Sequence, residues 1–153
     1  MALELKSAAF SPGGAIPEKY TGEGEDLSPP LEWEGAPKEA RSFALVCDDP
    51  DAPVGTFVHW VIYDIPAEAR SLEAGFPAEA ELAGGARQGV NDFGAAGYGG
   101  PHPPPGKPHR YSFKLYCLDR KLDAGPGLGK AELLDLMQGH ILEQAELTGI
   151  YRR

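Results

Sequence analysis

The sequence predicts a mainly β protein, a sheet or sandwich carrying a few short helices, one of them C-terminal. Three observations carry this: short apolar runs with strand character, 20 glycines and 15 prolines that punctuate them, and helical spacing confined to one late segment. Leu3 to Phe10 is a weak first candidate. Ser42 to Cys47 (SFALVC) and Thr56 to Ile62 (TFVHWVI) are apolar, β-branched and aromatic, and Pro50, Pro53 and Gly55 break the chain between them, so they read as two buried strands. Ala86 to Val90 is another weak candidate. Tyr111 to Leu118 is the clearest strand, because Tyr111, Phe113, Leu115 and Cys117 alternate with Ser112, Lys114, Tyr116 and Leu118. That alternation puts His109 and Tyr111 on one face where the strand begins. Leu133, Leu134, Met137, Ile141, Leu142 and Ala145 recur three or four apart, which predicts one amphipathic helix with Gly149 as its C-terminal cap. A second short helix around Pro77 to Leu82 is weakly signalled.

The 153 residues fit one domain, spanning 1–153, with no repeat or low-complexity linker to divide it. A hydrophobic fraction of 42% and a charged fraction of 24% are those of a soluble globular chain. The net charge of −9, with no cluster of Lys and Arg, argues against nucleic acid as a partner, since phosphate neutralisation needs a basic surface. A local anion pocket is compatible with it. The N-terminus MALELKSAAF lacks the basic and apolar regions of a secretion signal, and no apolar run reaches the ~18 residues of a membrane span, so a cytoplasmic location is expected. Cys47 and Cys117 lie inside apolar runs and read as buried reduced thiols; a disulfide between them would need adjacent strands. One Asn, three Gln and two Met form a bias found in heat-adapted proteins.

Chemistry concentrates in two places. Gly97 to Asp119 (GYGGPHPPPGKPHRYSFKLYCLD) begins as a stiff loop in which Pro101, Pro103, Pro104, Pro105 and Pro108 fix φ, and it ends in a His-Arg-Tyr cluster feeding a strand. Asp48, Asp49 and Asp51 crowd the end of an earlier strand, and His59 sits inside the next, among Phe57 and Trp60. A buried imidazole without a partner costs roughly 1–3 kcal/mol, so His59 needs company from Asp49, Asp51 or His109. Each group also has a plainer reading. Asp51 can cap a turn or pair with Arg110, and His59 can be a satisfied core histidine. His102 faces either solvent or a cleft, while His140 is a surface or structural residue beside Gly139. Trp33 reads as packing, Glu23, Glu25 and Asp26 as a solvated loop, and Asn91 and Asp92 as turn formers. Two histidines and a carboxylate converging at strand ends favour a site.

These segments resemble the phosphatidylethanolamine-binding protein family. Asp49 to Pro53 (DPDAP), Phe57 to Trp60 (FVHW) with Ile65-Pro66, and GYGGPHPPPG followed by HRYSFKLYCLD stand in the order of that family's two signature blocks. Tyr20-Thr21-Gly22, GEDLSPPLEW, NDFG and MQGHILEQAELTGIYRR extend the likeness along nearly the whole chain, the last toward the bacterial and archaeal branch labelled Raf kinase inhibitor-like. The resemblance implies an antiparallel β-sandwich with a small rigid anion-binding cleft lined by Asp49, His59, Gly100, Pro101, His109 and Tyr111, with Pro53 shaping the wall. It departs from eukaryotic members at Val58, where they often carry a second histidine, and at His102, where many relatives carry a smaller or different polar residue.

The expected function is therefore binding of a small anion, a phosphate ester, phospholipid head group or carboxylate. Imidazole N–H groups of His59 and His109, the Tyr111 hydroxyl and backbone N–H groups near Gly99 and Gly100 would surround it, as nests of amides do elsewhere. Asp49 would orient an imidazole or accept an ammonium group. No cofactor is expected. One alternative is a regulator that binds a partner protein through the same cleft, on fold analogy with kinase-modulating relatives. Another is a hydrolase using the histidines and carboxylates as acid and base or as zinc ligands, although HExxH, GxSxG and CxxC patterns are absent. A homodimer is among the assemblies the resemblance allows.

Overall fold

The computed structural model describes residues 2–53, 55–82 and 84–153. Eight strands among them form two antiparallel sheets: β1 (Glu4–Lys6), β2 (Leu31–Glu34) and β5 (Ser71–Leu72) in the order β1-β2-β5, and β3 (Ser42–Asp49), β4 (Phe57–Pro66), β6 (Arg87–Gln88), β7 (His109–Leu118) and β8 (Ile141–Tyr151) in the order β6-β4-β3-β7-β8. β3 is central in the larger sheet and buried along its whole length. A strand covered on both faces needs apolar residues at every position, which is why SFALVC reads as a continuous run rather than an alternation.

Side-chain parity divides the two faces. Phe43, Leu45 and Cys47 of β3, Trp60 and Ile62 of β4, and Phe113, Leu115 and Cys117 of β7 face the smaller sheet, where Leu5, Leu31, Trp33 and Leu72 close the sandwich core. Ala44 and Val46, Val61 and Tyr63, and Tyr116 and Leu118 face the other way and are covered by Leu122, Leu133 and Met137. Fully burying each large apolar side chain contributes about 1.5–3 kcal/mol, so this double cover makes the five-stranded sheet the rigid frame of the molecule.

Two irregularities in the β3–β4 pairing correct the parity. Phe43 pairs with Ile65 and Leu45 with Ile62, so β4 carries an extra residue there, and Asp64 takes φ +53°. Cys47 pairs with Trp60 and Asp48 with Val58, so His59 is the extra residue of a second bulge. Val58 and Val61 both face the helix side, which leaves His59 and Trp60 to share the sandwich side.

The C-terminal helix is present as α1 (Lys130–Met137), but it is shorter than its periodicity suggests. Leu133 and Met137 are its buried pair, and the Glu132 carboxylate accepts the Gly129 N–H at its start (2.9 Å). Gly139 at φ +82° stops it. Ile141, Leu142 and Ala145 then belong to β8, which pairs with β7 from Leu118↔Ile141 to His109↔Tyr151. Ten paired positions along the ladder outweigh a helical spacing that would have left β7 as an unpaired edge. Gly149 is accordingly no helix cap. Its missing side chain admits Phe10 and Ile16, whose atoms lie 2.7 Å from where a Cβ would stand. Pro77 to Leu82 is not helical. No helix is long and apolar enough to cross a membrane among the described residues.

Candidate functional site

The end of β3, the start of β4 and the start of β7 lie at one end of the larger sheet, where Asp49 pairs with Phe57 and Asp48 with Ser112. Odd-numbered positions of β7 bring His109 and Tyr111 to the sandwich side, Asp49 continues the Phe43-Leu45-Cys47 row, and the bulge turns His59 toward them. A cavity of about 160 Å³ opens among these four side chains. That is well under the ~300–1,000 Å³ of pockets that enclose drug-sized molecules, so it admits a small group or the head of a larger one. A broader groove of about 750 Å³ lies elsewhere, with Asp64, Arg87 and Asp119 in its lining; there Arg87 lies 3.6 Å from Asp64, and Asp119 pairs with His140.

The polar groups at the cavity are held from behind. Asp49 is 3% exposed; its Oδ2 lies 2.6 Å from His109 Nδ1, and its Oδ1 accepts the Asp51 N–H at 2.7 Å. The imidazole therefore donates from Nδ1 and keeps Nε2 for the cavity. Arg110 clamps the far side of the loop, donating from Nε and Nη2 to the Asp51 carboxylate (2.9 and 2.8 Å) and from its backbone N–H at 2.9 Å. These bonds hold the Asp51 carboxyl down to about 2. Asp48, one residue earlier, points to the opposite face and pairs with Lys130 at 2.7 Å and Lys114 at 3.8 Å.

His59 is buried at 4% exposure, with Phe57, Tyr111 and Phe93 around its ring at centroid distances of 5.0, 5.2 and 5.5 Å. Its Nδ1 lies 2.6 Å from the Gly99 carbonyl. Burial lowers its pKa against the opposing pull of that carbonyl and of Asp49, Asp26 and Asp48. Tyr111 is fully buried, and its hydroxyl has no hydrogen-bond partner among the described residues. Burial, with the Asp49 carboxylate second, raises its pKa well above the usual phenol range.

Asp49, His59, His109 and Tyr111 thus meet as the sequence suggested, and Pro53 lines the wall. His102 is exposed and sits at the mouth, resolving its two readings in favour of the cleft. Gly100 and Pro101 do not line the cavity. The Gly100 N–H donates to Asp26 Oδ1 (2.8 Å), the Gly99 N–H to the His59 carbonyl (3.0 Å), and the Pro101 carbonyl accepts the Gly22 N–H (2.8 Å). A Cβ on Gly100 would fall 2.4 Å from Asp26 Oδ1 and 2.6 Å from the Tyr20 carbonyl. These residues weld the proline loop to the 20–26 loop, and the expected backbone cradle of free amides is absent at Gly99 and Gly100. Asp26 is exposed, as a solvated-loop reading has it, and in addition accepts across this seam, while the exposed Glu23 accepts the Tyr151 hydroxyl at 2.6 Å.

Ala52, Phe57, Phe93, Pro103 and Pro104 complete the lining and were not singled out as site residues from sequence. Phe93 is 54% exposed and packs edge-on against Phe57 at 4.8 Å. Its placement follows from the turn formers before it. Asn91 Oδ1 accepts the Phe93 and Ala95 N–H groups, and Asp92 Oδ2 accepts the Val58 N–H at 2.7 Å, tying the loop to β4. An aromatic directly after Asn-Asp and before Gly94 was the available signal. Trp33 packs on Phe43, and His140 pairs with Asp119 at 2.9 Å, as their plainer readings had it. Cys47 and Cys117 are buried free thiols. They sit on neighbouring strands opposite Phe113 and Phe43, not opposite each other.

A two-sheet sandwich with a small preformed cleft at one end of its larger sheet defines a ligand-binding domain. The phosphatidylethanolamine-binding protein family profile matches residues 6–152, and the chain belongs to that family. It is 51% identical over 151 residues to a UPF0098 protein of Methanothermobacter thermautotrophicus, covering 99% of both chains. It is 47% identical to a UPF0098 protein of Aquifex aeolicus, covering 99% of this chain and 89% of that one. Among solved structures, CT736 of Chlamydia trachomatis, a phosphatidylethanolamine-binding protein homolog, superposes with a TM-score of 0.91 at 40% identity over 99% of this chain and 98% of the other. YbcL of E. coli, described as a member of the mammalian family, does so with 0.90 at 32% identity over 100% and 99%.

Proposed function

We propose that the protein binds a small anion, a phosphate ester or carboxylate group, in the cleft between Asp49, His59, His109 and Tyr111. The observation that carries this reading is the part-buried His109–Asp49 pair at 2.6 Å, which presents the imidazole's remaining nitrogen to a 160 Å³ cavity lined otherwise by rings, prolines and Ala52. Asp49 orients that imidazole by accepting from Nδ1, which leaves Nε2 as the His109 nitrogen that a guest meets. Neither Lys nor Arg lines the cavity among the described residues. The unpartnered Tyr111 hydroxyl supplies a second donor once a guest displaces the surrounding side chains slightly. Phe57 and Phe93 at the rim suit a guest whose remainder is apolar.

Calorimetric titration with inorganic phosphate and phosphorylethanolamine tests this. His109→Ala is expected to abolish measurable heat, and Tyr111→Phe to weaken binding several-fold, with the fold retained by circular dichroism. Unchanged binding in both variants overturns the assignment, and turnover of phosphoesters by the purified protein would replace it with a catalytic one.

A further inference from the structure

The charge state and tautomer of His59 set what kind of anion the cleft accepts. A carbonyl oxygen only accepts, so the Gly99 carbonyl 2.6 Å away requires Nδ1 to carry the hydrogen. The charged groups facing the ring from every side are already matched. Asp49 of β3 is bonded to His109 and to the Asp51 amide, Asp48 to Lys130, and Asp26 to the Gly100 amide. His109 and Tyr111 of β7 and His102 of the proline loop share the cavity with it. No carboxylate is hydrogen-bonded to His59, three aromatic rings pack around it, and burial favours the neutral form. A neutral ring with its hydrogen on Nδ1 has a bare lone pair at Nε2, and no protein donor reaches that atom among the described residues. A fully deprotonated oxyanion would set lone pair against lone pair there.

We propose that the cleft selects an oxyanion that keeps an acidic hydroxyl, a monoanionic phosphate or phosphate monoester whose O–H donates to His59 Nε2, over anions that have no proton to give. This rests on the anion-binding reading above and narrows it. A phosphodiester, as in a phospholipid, carries no such hydroxyl, and neither does sulfate.

The test is titration of the full chain with methyl phosphate, dimethyl phosphate, inorganic phosphate and sulfate at a series of pH values. Near pH 5.5, methyl phosphate and inorganic phosphate are expected to bind at least about tenfold more tightly than dimethyl phosphate and sulfate, because a site built around an acceptor rejects a ligand lacking the donor. Methyl phosphate affinity should then fall as pH rises past its second ionisation near ~6. Dimethyl phosphate, a permanent monoanion, reports the protein's own titration as the control. His59→Gln, whose amide both donates and accepts, should bring sulfate within a few-fold of phosphate. Equal affinity for all four anions overturns the selectivity and leaves anion binding standing. Binding of none at any pH overturns both. Nitrogen-15 spectra of the unliganded protein give a ligand-free check: His59 should be a neutral Nδ1–H tautomer at pH 6, and a cationic ring there refutes the proposal.

Discussion

Gly100→Ala separates the architectural role of the glycine–proline step from a ligand-contact role. The added Cβ would lie 2.4 Å from Asp26 Oδ1, 2.6 Å from the Tyr20 carbonyl oxygen and 2.9 Å from Thr21 Cα. Two of these three are backbone, so rotating one side chain cannot relieve the clash. The two loops must part, at an overpacking cost of about 1–3 kcal/mol. Parting them also weakens the bonds across the seam: Gly100 N–H to Asp26, Gly22 N–H to the Pro101 carbonyl, and the Tyr98 hydroxyl to the Tyr20 carbonyl (2.7 Å). Each such bond contributes about 1 kcal/mol net, and more where a carboxylate accepts. A loss of roughly 3 kcal/mol follows, or about 6–12 °C in Tm for a chain of this size. Displacement of the adjoining Gly99 carbonyl should also loosen His59, so phosphate affinity falls although Gly100 touches no guest. Gly84→Ala is the control, because its Cβ would meet only Pro66 at 3.9 Å. Thermal melts and phosphate titration of the two variants decide. A Gly100→Ala protein melting within ~2 °C of the parent refutes the weld, and a normal Tm with lost binding would return the glycine to the ligand site.

Two further outcomes are expected away from the cavity. Arg110 depresses the Asp51 carboxyl to about 2 in the folded state, below its unfolded value near 3.8, so the stabilisation is full above pH ~4 and is lost as pH falls through the range to ~2. Asp51→Asn should therefore differ from the parent in urea midpoint at pH 6 and converge with it by pH 2, modestly because the pair is solvent-screened; a constant gap across that range contradicts the assignment. Lys130→Met leaves the Asp48 carboxylate, 2% exposed, with only Lys114 at 3.8 Å, and should cost about 3 kcal/mol in urea unfolding. Adding Asp48→Asn should recover much of that, since no buried charge is then stranded, and a double variant as weak as the single would show that the pair acts through packing instead.

The parts of the fold that were legible are those whose burial is complete. β3, β4 and β7 announce themselves because both faces are covered; β1 and β6 fall inside the weak candidates Leu3 to Phe10 and Ala86 to Val90, whereas β2 and β5, four and two residues long, offer too little pattern to read. The β8 segment misleads for a physical reason. Leu133, Leu134, Met137, Ile141, Leu142 and Ala145 do keep helical spacing, yet Leu134, Ile141 and Leu142 are exposed, and the stretch from Ile141 is decided by the partner strand β7 rather than by its own periodicity. Gly100-Pro101 misleads differently. A glycine marks where something must come close, and sequence does not say whether that is a guest or the protein's own backbone. Here the Tyr20–Thr21 backbone fills the space.

His59 shows why part of the site was legible and part was not. Its neighbours Asp49, His109 and Tyr111 follow from simple alternation along β3 and β7, so their convergence is written in the spacing once those strands pair. On β4 the same alternation fails: Trp60 faces the sandwich core, and an unbroken strand would send His59 to the helix side, toward Val46 and Leu133. The extra residue opposite Cys47–Asp48 reverses this, at the expense of one ladder position, and the Asp92 carboxylate takes up the Val58 N–H beside it. A register shift of one residue therefore moves an imidazole from one hydrophobic core to the cleft. The bulge, more than any single side chain, brings the four groups together, because without it Asp49, His109 and Tyr111 would face the cavity with no buried imidazole opposite them.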